Sequence, residues 1–361
     1  MIVLHVLEPF ASGVATAVCS ITGELRDLTH IIIHGSRSLE GSEKVKLRFP
    51  KEVTFIEWKN VGREINLVKD FRALKELKKH LKPYARQKDI AVHLHSSKAG
   101  FLGRIACSFL GIKNVIYTPH CGAFLRKDVS STKRKLFYFF EWIGSRFGGR
   151  VVGCGPSEGE LYKKLGKNTT YVSNGVTINK ESGAAIANSR NLISFSGVVS
   201  FQKDPSLWNI VARSSASAAK VAGYSFCWIG DGPLANKLDK DLVTLTGWKN
   251  SEEVNELLEK TAIYFSTSAW EGLPYGVLEA MSHGCALLLR NVPGNRELVI
   301  PGENGWLFDT KEEVENRLKE MIKDKPLLIK MGKRSREIIE QNYTIKQMGE
   351  GYRKIYMEGA A

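Results

Sequence analysis

Two carboxylates eight positions apart, Glu271 and Glu279, flank Gly272-Leu273-Pro274-Tyr275-Gly276-Val277-Leu278. The apolar run Ala262-Ile263-Tyr264-Phe265 before them reads as a buried strand, and Val277, Leu278 and Met281 recur at helical spacing until Gly284 ends the helix. Gly272, Leu273 and Pro274 read as the turn, with Pro274 at the first helical position, where no N–H partner is needed. Strand, glycine turn and helix N-terminus make an anion site, because the first turn offers N–H groups and the positive end of the helix dipole. Glu271 stands at the mouth of that site and Glu279 just over one turn further on. A diphosphate carrying a sugar on one side and a ribose on the other would engage both.

The remaining polar candidates fall where strands end. Ile90-Ala-Val-His-Leu-His95 is a strand that delivers His95 and then Lys98, and Val115-Ile-Tyr-Thr118 delivers His120. Ligands bind at the carboxyl edge in open α/β sheets, so these residues share an edge. Ile2 to Leu7, the loop with Ser12 and Gly13, and a helix from Val14 to Leu25 form an opening strand–loop–helix unit in which Gly13 lets a ligand approach the backbone. A second such series starts at Leu192. Ile193 to Gly197 is a strand followed by a loop ending in Lys203, and Asp204-Pro205 opens a helix. Further strands end in Gly230-Asp231-Gly232-Pro233 and in Gly247-Trp248.

The elements therefore predict an α/β chain of two facing, doubly wound Rossmann-like domains with a cleft between them. The first covers 1–178, 179–191 is a small, polar linker, 192–342 forms the second, and a last helix over 343–361 packs back on the first domain. At 361 residues, with 43% hydrophobic and 25% charged, two full cores are possible. A net charge of +14 points to an anionic partner. Six scattered cysteines, without metal or disulfide spacing, read as free thiols of a reducing compartment. The start lacks a basic segment and a cleavage site, and no apolar run is long enough to span a bilayer, so a cytoplasmic location is expected.

Three motifs carry competing readings. Arg126 to Arg150 interleaves basic residues with Leu136, Phe137, Tyr138, Phe139, Phe140 and Trp142. That suits an anionic membrane surface, and equally a core helix with a solvated basic face. Nucleic acid is not expected, because no DNA- or RNA-binding signature accompanies the charge. Gly153-x-Gly155-x-x-x-Gly159 has the wrong spacing for a dinucleotide fingerprint. Ser157 with Glu160 reads instead as a capping box. Asp239-Lys-Asp241 matches a metal-binding string but lies in a Lys-rich stretch away from any strand end, so no metal and no cofactor are expected.

These motifs together resemble the retaining glycosyltransferases of the GT-B fold, specifically glycosyltransferase family four, over nearly the whole chain. Glu271 to Glu279 looks like that family's paired-glutamate signature. Thr118-Pro-His120, Ser173-Asn-Gly-Val176, Gly197 with Lys203, Gly230-Asp-Gly-Pro233 and Thr246-Gly-Trp248 follow in the family's order, and His95 to Gly100 is similar to members acting on lipid-linked sugars. The resemblance implies a catalytic set of His120 on the transferred sugar, Lys203 on the diphosphate and Glu271 on a sugar hydroxyl. It also implies a donor site of Gly13, Gly197, Gly230, Trp248, Lys249, Gly272, Leu273, Pro274, Tyr275 and Glu279, the last holding both ribose hydroxyls. His95 and Lys98 would meet the acceptor. The implied reaction moves a sugar from a nucleoside diphosphate, most often uridine, to a lipid-linked or polysaccharide acceptor in cell-surface glycan synthesis, at the inner face of the plasma membrane. One position departs: the family's Gly-Arg is here Gly197-Val198, leaving Lys203 and the helix N-terminus, or Arg296 or Lys98, to face the diphosphate. A nucleotide-sugar epimerase and a non-catalytic sugar-nucleotide or lipid-surface binder remain the alternatives.

Overall fold

A computed structural model describes residues 1–37, 41–166, 168–178 and 189–359. Two compact units emerge, Met1–Gly175 with Ile345–Ala361, and Val176–Thr344. The linker expected at 179–191 lies, up to residue 188, outside the described residues.

In the first unit strands and helices alternate: β1 (Ile2–Pro9), α1 (Ser12–Glu24), β2 (Thr29–Arg37), α2 (Ser42–Lys46), β3 (Thr54–Glu57), α3 (Leu67–Leu81), β4 (Ile90–His95), α4 (Ser96–Leu110), β5 (Val115–Thr118), α5 (Ser131–Gly144), β6 (Arg150–Gly153), α6 (Pro156–Lys163) and β7 (Thr169–Tyr171). All strand pairs are parallel, in the order β3-β2-β1-β4-β5-β6-β7. Helices on a parallel sheet bury both of its faces, which is why β4 is buried at every position. That burial includes His93 and His95, so their ring nitrogens need partners inside the protein. The capping box read at Ser157 is absent. The N-cap of α6 is Gly155, with no side-chain bond, because Pro156 takes the first helical position and shifts Ser157 inside.

The second unit repeats the plan with β8 (Leu192–Ser196), α7 (Pro205–Val221), β9 (Ser225–Ile229), β10 (Val243–Leu245), α8 (Ser251–Glu259), β11 (Thr261–Ser266), α9 (Tyr275–Ser282), β12 (Ala286–Arg290), β13 (Gly305–Phe308), α10 (Lys311–Met321) and α11 (Lys325–Asn342). Its six strands run parallel in the order β10-β9-β8-β11-β12-β13. The last helix, α12 (Ile345–Glu358), belongs to the first unit. Its Tyr356 hydroxyl lies 2.8 Å from His93 Nδ1, and Arg353 forks onto Asp27 at 2.6 and 2.7 Å.

Each sheet reverses its direction of growth once, between β1 and β4 in the first unit and between β8 and β11 in the second. The loops leaving such a pair diverge to opposite faces and open a crevice at the carboxyl edge, which is where ligands settle in these folds.

Candidate active site

In the second unit the loops after β8 and β11 are stitched together by their own polar groups. Thr267 Oγ1 donates to the Lys203 and Asp204 carbonyls at 2.8 and 3.0 Å. Ala269 N donates to Gln202 O at 2.7 Å, and Gln202 Nε2 returns a bond to Trp270 O at 2.9 Å. This stitching sets the Lys203 ammonium directly on a Glu271 oxygen. Glu271 is only 6% exposed, and the ammonium is its ion-pair partner. An ammonium has three N–H donors and Glu271 takes one, leaving two for other acceptors. Asp204, at φ 48°, caps α7 by accepting from Leu207 N at 3.2 Å, and Arg290 reaches the same carboxylate at 3.1 Å.

Helix α9 opens beside this pair. Pro274 does not occupy its first turn as the sequence suggested. With φ −75° and ψ 121° it is the N-cap, and its carbonyl closes the first turn by accepting from Val277 N and Leu278 N, both at 3.2 Å. Tyr275 and Gly276 are then the first helical residues, and Glu279 is half-buried one turn on. Gly276 is a residue that motif reading left without a role. A Cβ there would stand 2.6 Å from Tyr264 Oη and 2.7 Å from Ser196 Oγ, so only glycine lets α9 seat against the end of β8. Gly230, at φ +136°, likewise has no room for a side chain against the Gly197 carbonyl. Gly197, Gly230, Trp248 with Lys249, and Glu271 through Tyr275 follow β8, β9, β10 and β11, so parallel topology brings all of them to one edge. Trp248 is half exposed there, and Lys249 pairs with Glu253 at 2.6 Å. Asp239 and Asp241 precede β10 and so lie at the opposite edge, where Asp239 pairs with Arg213 at 2.8 Å. Arg296 is exposed and donates to Asn291 Oδ1 at 2.5 Å.

In the first unit the predicted residues again follow strand ends, with backbone strain concentrated among them. Ser12, Ser96, His120 and Cys121 all have φ between 48 and 73°, a region that side chains other than glycine's avoid. Gly13 is exposed in the first turn of α1. The His120–Cys121 turn is held by Glu158 of α6, which the sequence reading missed. Its carboxylate accepts from Cys121 N at 2.7 Å and from Cys154 N at 2.9 Å. Burial pushes the Glu158 carboxyl up, against the pull of those N–H bonds. Burial also lowers His120 to about 4, so its imidazole is neutral near pH 7.

Two expectations need correction. His95 is fully buried, with Nε2 3.1 Å from His5 and Nδ1 3.0 Å from His120, so it can act on a ligand only through His120. Lys98 is bound by Asp70 at 2.6 Å and the Glu64 carbonyl at 2.8 Å, which ties it to α3 rather than presenting it to an acceptor or diphosphate. The aromatic segment is a core helix on one face only, where Phe137, Phe140 and Ile143 are half-buried. Helix α5 buries only Glu141 and Gly144, while Leu136, Tyr138, Phe139 and Trp142 are 40 to 49% exposed. Glu141 anchors it from below, bonded to Arg104 at 3.0 Å and Tyr117 at 2.7 Å.

Two parallel, doubly wound sheets, each with its polar residues at the switch point, define the GT-B class of glycosyltransferases. The profile described as Glycosyltransferase Family 4 matches residues 11–180, and that described as Glycosyl transferases group 1 matches residues 181–338. The chain belongs to this glycosyltransferase family and is an enzyme of sugar transfer. It is 29% identical, over 82% of its length and 81% of the relative's, to the UDP-Gal:alpha-D-GlcNAc-diphosphoundecaprenol alpha-1,3-galactosyltransferase of Escherichia coli. A 41.2 kDa protein of the cps region of Klebsiella pneumoniae is 25% identical over 99% of both chains. In fold it matches Anabaena HepE, solved in complex with UDP, with a TM-score of 0.77 at 15% identity over 99% of this chain and 100% of that one.

Proposed function

We propose that the chain transfers a hexose from a UDP-sugar to a polyprenyl-diphosphate-linked sugar, with retention at the anomeric carbon and without a metal, in the building of a cell-surface glycan. The observation that carries this reading is the half-buried Lys203–Glu271 pair beside the N-terminus of α9. The ammonium and the helix dipole supply positive charge where a diphosphate leaving group gains negative charge, the task a divalent cation performs elsewhere. Glu271 then aligns Lys203 and meets a sugar hydroxyl, and Glu279 accepts from the ribose hydroxyls. The leaving phosphate takes the acceptor's proton on the same face, which leaves Glu271 free of a nucleophile's role. Lys203 and the α9 N-terminus together replace the arginine that Val198 displaces.

The acceptor named in the E. coli relative is a lipid diphosphate, and this chain has a face suited to such a membrane. Helix α5 presents Tyr138, Phe139 and Trp142 beside Lys133, Lys135 and Arg146, with the Arg146 guanidinium 4.2 Å above the Trp142 ring. Aromatic rings at the headgroup level and cations on anionic lipid are the two halves of interfacial binding. Among the described residues no helix is long and apolar enough to cross a bilayer, so contact through α5 is peripheral.

The test is transfer from radiolabelled UDP-galactose to a synthetic GlcNAc-diphosphate lipid, with the product's anomeric configuration read by NMR. A new α-linkage in excess chelator is expected. Loss of activity restored by Mg²⁺ or Mn²⁺ would remove the metal-free mechanism, and a free sugar epimer without a new bond would remove transfer.

A further inference from the structure

Four imidazoles stand in file through the first unit's sheet. His30 Nε2, on β2, lies 2.9 Å from the Leu25 carbonyl, and His30 Nδ1 lies 3.1 Å from Nε2 of His5 on β1. His5 Nδ1 lies 3.1 Å from Nε2 of His95 at the end of β4. His95 Nδ1 lies 3.0 Å from Nε2 of His120, just beyond β5. Register explains the alignment. His5 pairs with His93 and Leu7 with His95 across β1 and β4, and Val3 pairs with His30 across β1 and β2. Residues of matching parity on neighbouring strands share one face, so the rings fall in a row.

The row has a direction, which follows from its last member. A carbonyl only accepts, so His30 Nε2 carries hydrogen. Burial lowers the pKa of all four rings, which are therefore neutral at pH 7, each with one N–H and one lone pair. His30 Nδ1 is thus a lone pair and His5 Nε2 must donate to it. The same logic passes to His95 and then to His120, whose Nε2–H is spent on His95. His120 is left with a lone pair on Nδ1, and that atom has no protein hydrogen-bond partner among the described residues. The tautomers are thereby assigned from the network.

We propose that the Leu25 carbonyl, His30, His5 and His95 form a positioning relay that holds His120 as the Nε2–H tautomer, so that Nδ1 can only accept a hydrogen bond from a substrate hydroxyl. The inference rests on the reading in which His120 meets the sugar being transferred. It assigns the relay a role in specificity: the group met by His120 must be an O–H, and a group bearing only lone pairs, such as an ether oxygen or a carboxylate, is rejected. A metal reading of the same cluster is less apt. His5, His93 and His95 lie close enough to share an ion, yet every ring nitrogen among them already has a partner, His93 bonding Tyr356 at 2.8 Å and Thr118 at 2.9 Å.

Long-range proton–nitrogen NMR of the full chain, labelled with ¹⁵N in the histidine rings and assigned with single variants, reads the tautomers without substrate. The expected spectrum shows a pyridine-like Nδ1 and a protonated Nε2 for His120; a protonated Nδ1 overturns the proposal. His95→Phe keeps a planar ring in the row but removes both the donor toward His5 and the acceptor for His120. In that variant His120 becomes a mixture of tautomers, and kcat/KM for UDP-galactose falls about tenfold, as expected for one hydrogen bond to substrate. A variant with unchanged tautomer and unchanged transfer overturns the relay. At His120 itself, Asn keeps an acceptor near the Nδ1 position and Gln keeps only the group that reaches His95. The relay predicts that His120→Asn retains more transfer than His120→Gln, and the reverse order counts against it. His120→Ala with wild-type transfer would instead remove His120 from the sugar, a failure of the site reading that the tautomer spectra distinguish from failure of the relay.

Discussion

The two units share one topology and use it in opposite electrostatic ways. At the switch point of the second unit a buried carboxylate and an ammonium face each other, and the proposed donor site works by charge. In the first, the groups at the corresponding edge are imidazoles kept neutral by burial, and a carboxylate, Glu158, spent on backbone N–H groups. The contrast fits the ligands proposed for them. A diphosphate needs fixed positive charge, whereas a sugar hydroxyl needs an uncharged acceptor held at a set angle. Topology supplies the crevice in both cases, and the side chains decide which chemistry it performs.

The largest expected effect lies in the charged half. Lys203→Ala should lower kcat/KM for the UDP-sugar by about 10³, the scale of removing a preorganised group that stabilises developing charge. Glu271→Gln should cost about tenfold less, and the double variant no more than Lys203→Ala alone, because the two residues act as a unit. A Lys203→Ala enzyme within a few-fold of wild type would mean that the second unit does not work by charge. Next comes the strained turn of the neutral half. Glu158→Ala should destabilise the protein by about 2–3 kcal/mol in urea unfolding, because two buried N–H groups lose their acceptor, while Glu158→Gln, which keeps one carbonyl oxygen, should cost less.

Acid separates the units by the number of buried imidazoles each holds. Burial lowers His5, His30, His93, His95 and His120 from 6.5, the last to about 4, whereas in the second unit it lowers His283 to about 4. Between those values the unfolded chain binds more protons than the folded one. The stability from these rings is therefore complete above about pH 6.5 and is lost as pH falls toward 4. Asp27 beside His30 opposes the lowering of that ring, while burial pushes the Glu158 carboxyl and the Tyr352 and Tyr356 hydroxyls up. Hydrogen exchange followed from pH 7 to pH 4 should show the first unit losing protection before the second, and equal loss would break the comparison. The smallest effect concerns α5. Phe139→Ala with Trp142→Ala should weaken sedimentation with anionic vesicles about tenfold and leave transfer to a short, water-soluble acceptor unchanged.

The fold could be read in the sequence because parallel strands are continuous apolar runs. Ile90–His95 and Val115–Thr118 have the limits expected from the residues alone. The alternation of strands and helices along the chain and the Glu271–Glu279 segment were legible for the same local reason, since a strand, a glycine turn and a helix start lie within about twenty residues. Pairings between distant residues were not. Lys203 and Glu271 are 68 positions apart and meet only because Thr267 and Gln202 fasten their loops together. Helix α5 was ambiguous because periodicity shows that a helix has an apolar face without showing what covers it. The histidines at alternate positions of β4, with another on β1, were a visible signal for the buried row, but one strand cannot say which strand lies beside it.

The sequence by itself thus determined the α/β alternation, the family and the segment carrying both glutamates, because each depends on residue types within one turn or one strand. Only the tertiary structure decided that Lys203 is paired, that Lys98 is bound away on α3, and that His95 speaks through His120. Those outcomes depend on which strands become neighbours and in what register, and in a parallel sheet every such choice is made across a crossover of many residues.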